Sequence, residues 1–391
     1  MNLIELKKII EDVMNESNTA HHALYEGASL STFELDKSQY NQLSTILSKI
    51  GGDIDNVTVG DVDEARKKPN YMAMKSDEFV SGGHVKVGVS QDVIDGLEKL
   101  VESGMEAKDW YQKMSGTIYA ALDEPDACLF LILLAIFSPA NKLANNLKLA
   151  ALTFQTIKKD VKNNKKLFDK ATEYTGTEIY NSFKGKKEKL TREVPDFSDL
   201  LTFKFRAEIR SSTSVLGNLL RVMKMYKAHN YKFNKTDVVN EIAKHFDESA
   251  GMIKKDSIIS ATKVFSFTLN LLNPKFKFES IGWMPLTMDT WMATVFYPEM
   301  DGKQKAGFLA KNANYMYIAK LTHEYSQKFG MNPIELQAVL WVSKIKETQG
   351  DKYESKFEQT IAKNIQKLDM TADEYKEIYD TYQLILANIN D

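Results

Sequence analysis

The chain has 391 residues, of which 43% are hydrophobic and 27% charged. That is enough to bury one large core or two to three ordinary ones, and it excludes a disordered polypeptide. A formal net charge of −2 excludes a surface that is basic throughout, although a local basic groove is compatible with it. The single cysteine, Cys128, excludes an internal disulfide and any cysteine-built zinc or iron–sulfur site, and it places the chain in a reducing cytoplasm.

The first 25 residues carry Leu3, Leu6, Ile9, Ile10, Val13 and Met14 at helical spacing and lack the pattern of a signal peptide. Between 26 and 95 the pattern changes. Gly51-Gly52, Pro69 and Gly82-Gly83 punctuate short alternating segments such as 84–89, so 1–95 reads as a small α+β region. His21 and His22 lie beside each other without further ligands at metal-binding spacing, and read as exposed polar residues.

From Ser90 onward the periodicity is helical, with helices expected over about 90–101 and 105–122. The run Ala127–Phe137 is apolar at every position. Its length falls short of the about 20 residues a bilayer requires, so it reads as a helix buried all round and not as a membrane span. Ser138-Pro139 ends it, a polar turn follows as far as Asn146, and a helix is expected to about Ile157. That turn is either an ordinary proline-started cap or a polar loop held at a site. Residues 156–214 are lysine-rich and read as an insertion, either a solvated face or a phosphate-contacting surface. Helices then follow to the C-terminus, expected at 216–226, 238–246, 258–272, 290–296, 311–329, 333–345, 353–368 and 372–388. The domain expectation is therefore 1–95, then 96–346 with the insertion, then C-terminal helices at 347–391 packing on it.

Two residues in this helical part carry chemistry. Lys263 is the lone amine on an apolar run, Val264, Phe267 and Leu271 forming its face. Asp289 stands directly before the run Trp291–Phe296, where a carboxylate caps a helix. Read by itself, Lys263 is a surface lysine and Asp289 an N-cap. Brought together, an amine and a carboxylate are also a nucleophile and an electrostatic partner.

Several short motifs in order extend this pair. They are Trp110-Tyr111, Leu133-Leu134, Ser138-Pro139, Asn145, Lys263 with Phe267 and Asn270-Leu271, Asp289-Thr290-Trp291-Met292, and Pro333 with Gln337-Ala338 and Trp341. Over roughly 100–345 they resemble the helix-hairpin-helix (endonuclease III-like) superfamily of DNA glycosylases, and most closely its divergent phage-type members. The resemblance implies a mostly α, two-lobed helical glycosylase-like fold, with the small α+β region as an N-terminal addition. It implies Asp289 and Lys263 as catalytic residues. DNA or base contacts fall to Asn141, Lys142, Asn145, Lys255, Ser260, Thr262, Trp283 and Trp291, with Gln337 and Trp341 behind the catalytic segment. Trp110 is a further ring that can stack on a base. DNA is the implied partner, and neither metal nor other cofactor is implied.

The chain departs from the superfamily pattern at the hairpin, where Asp256–Lys263 has no glycine. Contacts to phosphate would then come from the side chains of Lys254, Lys255, Ser260 and Thr262. The loop between Asn270 and Asp289 is also longer than usual and carries Trp283. The expected activity is removal of a damaged or modified base, with a hypermodified phage base as the extension the phage-like motifs suggest. The alternative is a non-catalytic DNA-binding or interaction protein on the same helical scaffold.

Overall fold

The computed structural model describes residues 70–82, 85–139, 143–163, 166–183, 193–194, 213–248 and 251–350. The chain divides into two compact units, Met1–Ala73 with Glu248–Gly251, and Met74–Asp247 with Met252–Asp391. Expectations for the α+β region before 70, the helices after 350, and most of the lysine-rich stretch lie outside the described residues. In the smaller unit Gly251 adopts φ 60°, where a side chain would also press on Tyr71, so only glycine suits the position.

The larger unit is mostly helical. It opens with α1 (Ser76–Ser81), α2 (Gln91–Asp95) and α3 (Leu97–Gly104), a 3₁₀ turn (Met105–Ala107), then α4 (Trp110–Ala121) and α5 (Glu124–Ile136). Next come α6 (Leu143–Lys162), α7 (Lys166–Ala171), α8 (Gly176–Phe183), α9 (Thr213–Ala228) and α10 (Lys235–Ala243). A minimal antiparallel hairpin pairs β1 (Phe246–Asp247) with β2 (Met252–Ile253), Phe246 opposite Ile253. The helices described after it are α11 (Thr262–Leu272), α12 (Thr290–Phe296), α13 (Gly302–Leu309), α14 (Asn312–Lys328) and α15 (Pro333–Gln349).

Helix α5 is the centre of the core. Asp123 caps it by accepting from Asp126 N at 3.1 Å, Pro125 sits in its first turn, and every residue from Ala127 to Ile136 is buried. Such all-round burial needs neighbours on every side; α4, α6, α9, α10 and α11 supply them. Each large aliphatic or aromatic side chain so removed from water contributes roughly 1.5–3 kcal/mol. Cys128 is buried in this helix, and burial pushes its thiol up to about 11.

Side chains of the later helices hold the segment before α3, which belongs to the larger unit from Met74. Glu324 accepts from Ser76 N at 2.9 Å and from the Ser76 hydroxyl. Val89 N donates to the Tyr317 hydroxyl at 3.2 Å, and Tyr297 donates to Val87 O at 2.8 Å. Helices α3 and α15 cross closely at Gly104, where a Cβ would overlap Ser343 Oγ and the Val339 carbonyl. The start of the lysine-rich stretch is packed: Ala171 and Ile179 are buried and α8 lies against α9. Some of its charges are paired within the protein, Lys158 with Asp126 at 2.6 Å.

Candidate active site

Helix α11 presents Lys263 on its first turn and buries everything from Val264 to Leu272. Its last carbonyls are taken by α4, with Ser115 Oγ donating to Leu271 O at 2.5 Å and Tyr119 OH to Leu272 O at 3.3 Å. The loop before it, which has no glycine, is fixed from α9. Arg221 Nε donates to Ile258 O at 2.9 Å, and Asn218 Oδ1 accepts from Ser260 N and Ser260 Oγ, each at 2.9 Å. A buried amide and a guanidinium thus do the holding that a glycine turn does by close backbone approach.

Asp289 is the N-cap of α12. Its Oδ1 accepts from Trp291 N at 2.9 Å and Met292 N at 3.1 Å, and the carboxylate is half-buried. The extended segment leading to it makes no sheet, so its backbone groups need other partners. Helices α14 and α15 provide them. Tyr315 donates to Leu286 O at 2.6 Å and accepts from Met288 N at 3.1 Å, while Gln337 Oε1 accepts from Thr287 N at 3.1 Å. Gln337 Nε2 goes on to Tyr111 OH at 2.9 Å, and Asn270 Nδ2 to Thr287 Oγ1 at 3.1 Å, which ties α4 and α11 to the same segment. Burial pushes the Tyr111 hydroxyl up to about 12, with the nearby Asp289 charge adding to it. Tyr315 is raised further by burial. Both phenols therefore stay protonated in this network.

The two segments meet at a recess of about 70 Å³ lined by Trp110, Tyr111, Ser138, Asn146, Lys263, Phe267, Thr287, Asp289, Gln337 and Trp341. Lys263 and Asp289 are thus brought to one cavity, and Lys263 is the single cationic side chain among the described residues that line it. Trp110 forms one aromatic wall. It lies near-parallel to Phe267 at 6.4 Å and edge-on to Trp341 at 5.3 Å.

The other sequence-derived site residues are scattered. Asn141 and Lys142 lie outside the described residues, as does the side chain of Asn145 in the first turn of α6. Lys255 is exposed in the turn before α11, and Thr262 is half-buried at its start; neither lines the recess. Ser260 is exposed, but its hydroxyl proton is committed to Asn218. Trp291 is half-buried on α12 and away from the lining. Trp283 is 6% exposed, with one face on the His323 ring at a 3.8 Å centroid separation and Lys320 Nζ at 4.9 Å from its centroid. The tertiary packing occupies that indole, so it offers no open surface for stacking on a base. Sequence reasoning gave Tyr111 and Thr287 no site role. Their signal was faint, since a buried tyrosine and a threonine before a helix cap look like ordinary packing.

Comparison with models of known families, with curated proteins and with solved structures gives no match. Among the described residues no group of three or more His, Cys, Asp or Glu could hold a metal ion, and no helix is long and apolar enough to cross a membrane.

Proposed function

We propose that the protein is a DNA glycosylase of helix-hairpin-helix type, cleaving the N-glycosidic bond of a damaged or modified base flipped out of the duplex. The observation that supports this reading is the convergence of Lys263 and Asp289, from separate elements, on one aromatic-walled recess. In base excision the bond from C1′ to the base nitrogen breaks, and its electron pair leaves with the base. A positive charge develops on the sugar, and a fixed carboxylate stabilises it. Asp289 suits this role. Two backbone amides hold one of its oxygens, the preceding segment is bonded at three successive residues, and Oδ2 makes no hydrogen bond among the described residues.

Water or the Lys263 amine then adds at C1′. If the amine adds, it loses a proton, the sugar ring opens to a protonated Schiff base, and elimination of the 3′ phosphate cuts the strand. The phage-like motifs extend the proposal to hypermodified bases.

The test is base release from duplexes carrying modified or unmodified bases, followed by borohydride reduction of the reaction. Base release with a borohydride-trapped protein–DNA adduct that disappears in Lys263→Gln supports both roles. Release without trapping leaves Asp289 with water as the nucleophile. DNA binding with no base release from any duplex refutes the enzyme and favours a binding module on this scaffold. Equal release from modified and unmodified DNA removes the hypermodified-base extension.

A further inference from the structure

Three residues lining the recess carry buried polar atoms that no described protein group satisfies: Ser138 Oγ, Asn146 Oδ1 and Trp341 Nε1. Ser138 and Asn146 are 4% and 5% exposed. Each comes from a different part of the fold: Ser138 follows α5, Asn146 is in the first turn of α6, and Trp341 is midway along α15. Folded proteins leave few buried polar groups unpaired, because each one costs stability. Three on the walls of one cavity, beside a lysine and a carboxylate, suit a surface whose partners arrive with a ligand.

Their chemistry restricts that ligand. An indole N–H only donates, an amide oxygen only accepts, and a hydroxyl does either. A molecule that satisfies all three must present both an acceptor and a donor, as the polar edge of a nitrogen heterocycle does. Trp110, Phe267 and Trp341 line the recess with aromatic surface, which suits a planar ring. The recess, about 70 Å³, is smaller than the about 150 Å³ cavity that encloses a benzene, so a single ring already fills it and a fused second ring would stand outside.

The geometry points to Ser138, Asn146 and Trp341 as the set that reads the hydrogen-bonding edge of a planar, single-ring nitrogen heterocycle held in this recess. The assignment rests on the glycosylase reading only for which end of the ring faces Asp289. Specificity follows from the pairing. A ring without the polar edge leaves all three groups unpaired, and a site built this way rejects such an analogue far more strongly than a purely apolar pocket does.

The experiment uses the full chain with uracil, cytosine, adenine and toluene as probes, read by thermal shift and titration calorimetry, with Ser138→Ala and Trp341→Phe as variants. Uracil or cytosine should raise the unfolding temperature while toluene does not. Each variant should weaken the single-ring base by about tenfold. Without any probe, the unfolding temperature of Ser138→Ala should stay unchanged or rise, since no protein hydrogen bond is lost.

Three results overturn the assignment: toluene or adenine binding as well as the single-ring bases, no binding by any base, or probe-free Ser138→Ala unfolding several degrees earlier. Base binding that needs these residues, with no base release from DNA, leaves this assignment standing and removes the glycosylase reading. Base release that ignores the variants does the reverse.

Discussion

Asp289 caps α12 and, in the proposed reaction, stabilises the sugar cation, and a pair of substitutions distinguishes the two roles. As an N-cap, its Oδ1 accepts from the Trp291 and Met292 amides. Asparagine keeps an oxygen in the same place and ranks with aspartate as a cap, so Asp289→Asn should change stability by only a few tenths of a kcal/mol. Asp289→Ala removes the acceptor and should cost about 1 kcal/mol. Both remove the negative charge from the recess. If that charge stabilises the sugar cation, both should lower single-turnover base release by about 10²–10³-fold, equivalent to roughly 3–4 kcal/mol. The two assays are thermal or urea unfolding and single-turnover release, with DNA affinity measured in parallel. Asp289→Asn should keep wild-type stability and DNA binding while losing base release. Wild-type release by Asp289→Asn would refute the electrostatic role. Equal destabilisation by Asn and Ala would refute the geometric account of the cap.

Gln337→Leu strands the buried Thr287 N–H and removes one of several partners of the Tyr111 hydroxyl, and should cost about 1–3 kcal/mol in urea unfolding. Gly104→Ala should cost about 1–3 kcal/mol, because its methyl meets the Val339 carbonyl and Ser343 on α15. Gly116→Ala, with open space at its Cβ inside α4, should instead gain about 0.5–1 kcal/mol. Burial lowers His323 from 6.5 to about 4, so between those values the unfolded chain binds a proton that the folded one does not. Its contribution is therefore full above pH 6.5 and is lost as pH falls towards 4, by about 3 kcal/mol in all. Urea midpoints across that window should fall less steeply in His323→Gln; identical slopes would show that His323 is not the group responsible.

Local patterns were legible where one strong physical cause dominated. The wholly apolar run 127–137 could only be a helix enclosed on all sides, and α5 is that helix. An aspartate before an apolar helical run predicted a cap, and Asp289 caps α12. Asn332-Pro333 marked the start of α15, which begins at Pro333. Boundaries were looser. The helix expected from 258 begins at Thr262, because residues 256–261 are drawn into side-chain bonds with α9 that no local propensity encodes. Gly96 divides the helix expected over 90–101 into α2 and α3.

The sequence by itself determined the helical class of this part of the chain, the buried centre at α5, and the chemical types available at Lys263 and Asp289. These follow from periodicity and from the short-range chemistry of caps, which act within a turn or two. Tertiary structure decided which of those groups share a space. Trp283 carried the same sequence signal as Trp110, yet packing set one on His323 and left the other on the wall of the recess. Ser138 and Trp341 stand in short motifs and Asn146 closes a polar turn, but nothing in the sequence groups the three. They acquire meaning only because three distant segments fold to one cavity and leave their polar atoms without partners there. Convergence of that kind depends on long-range packing, and spacing along the chain does not encode it.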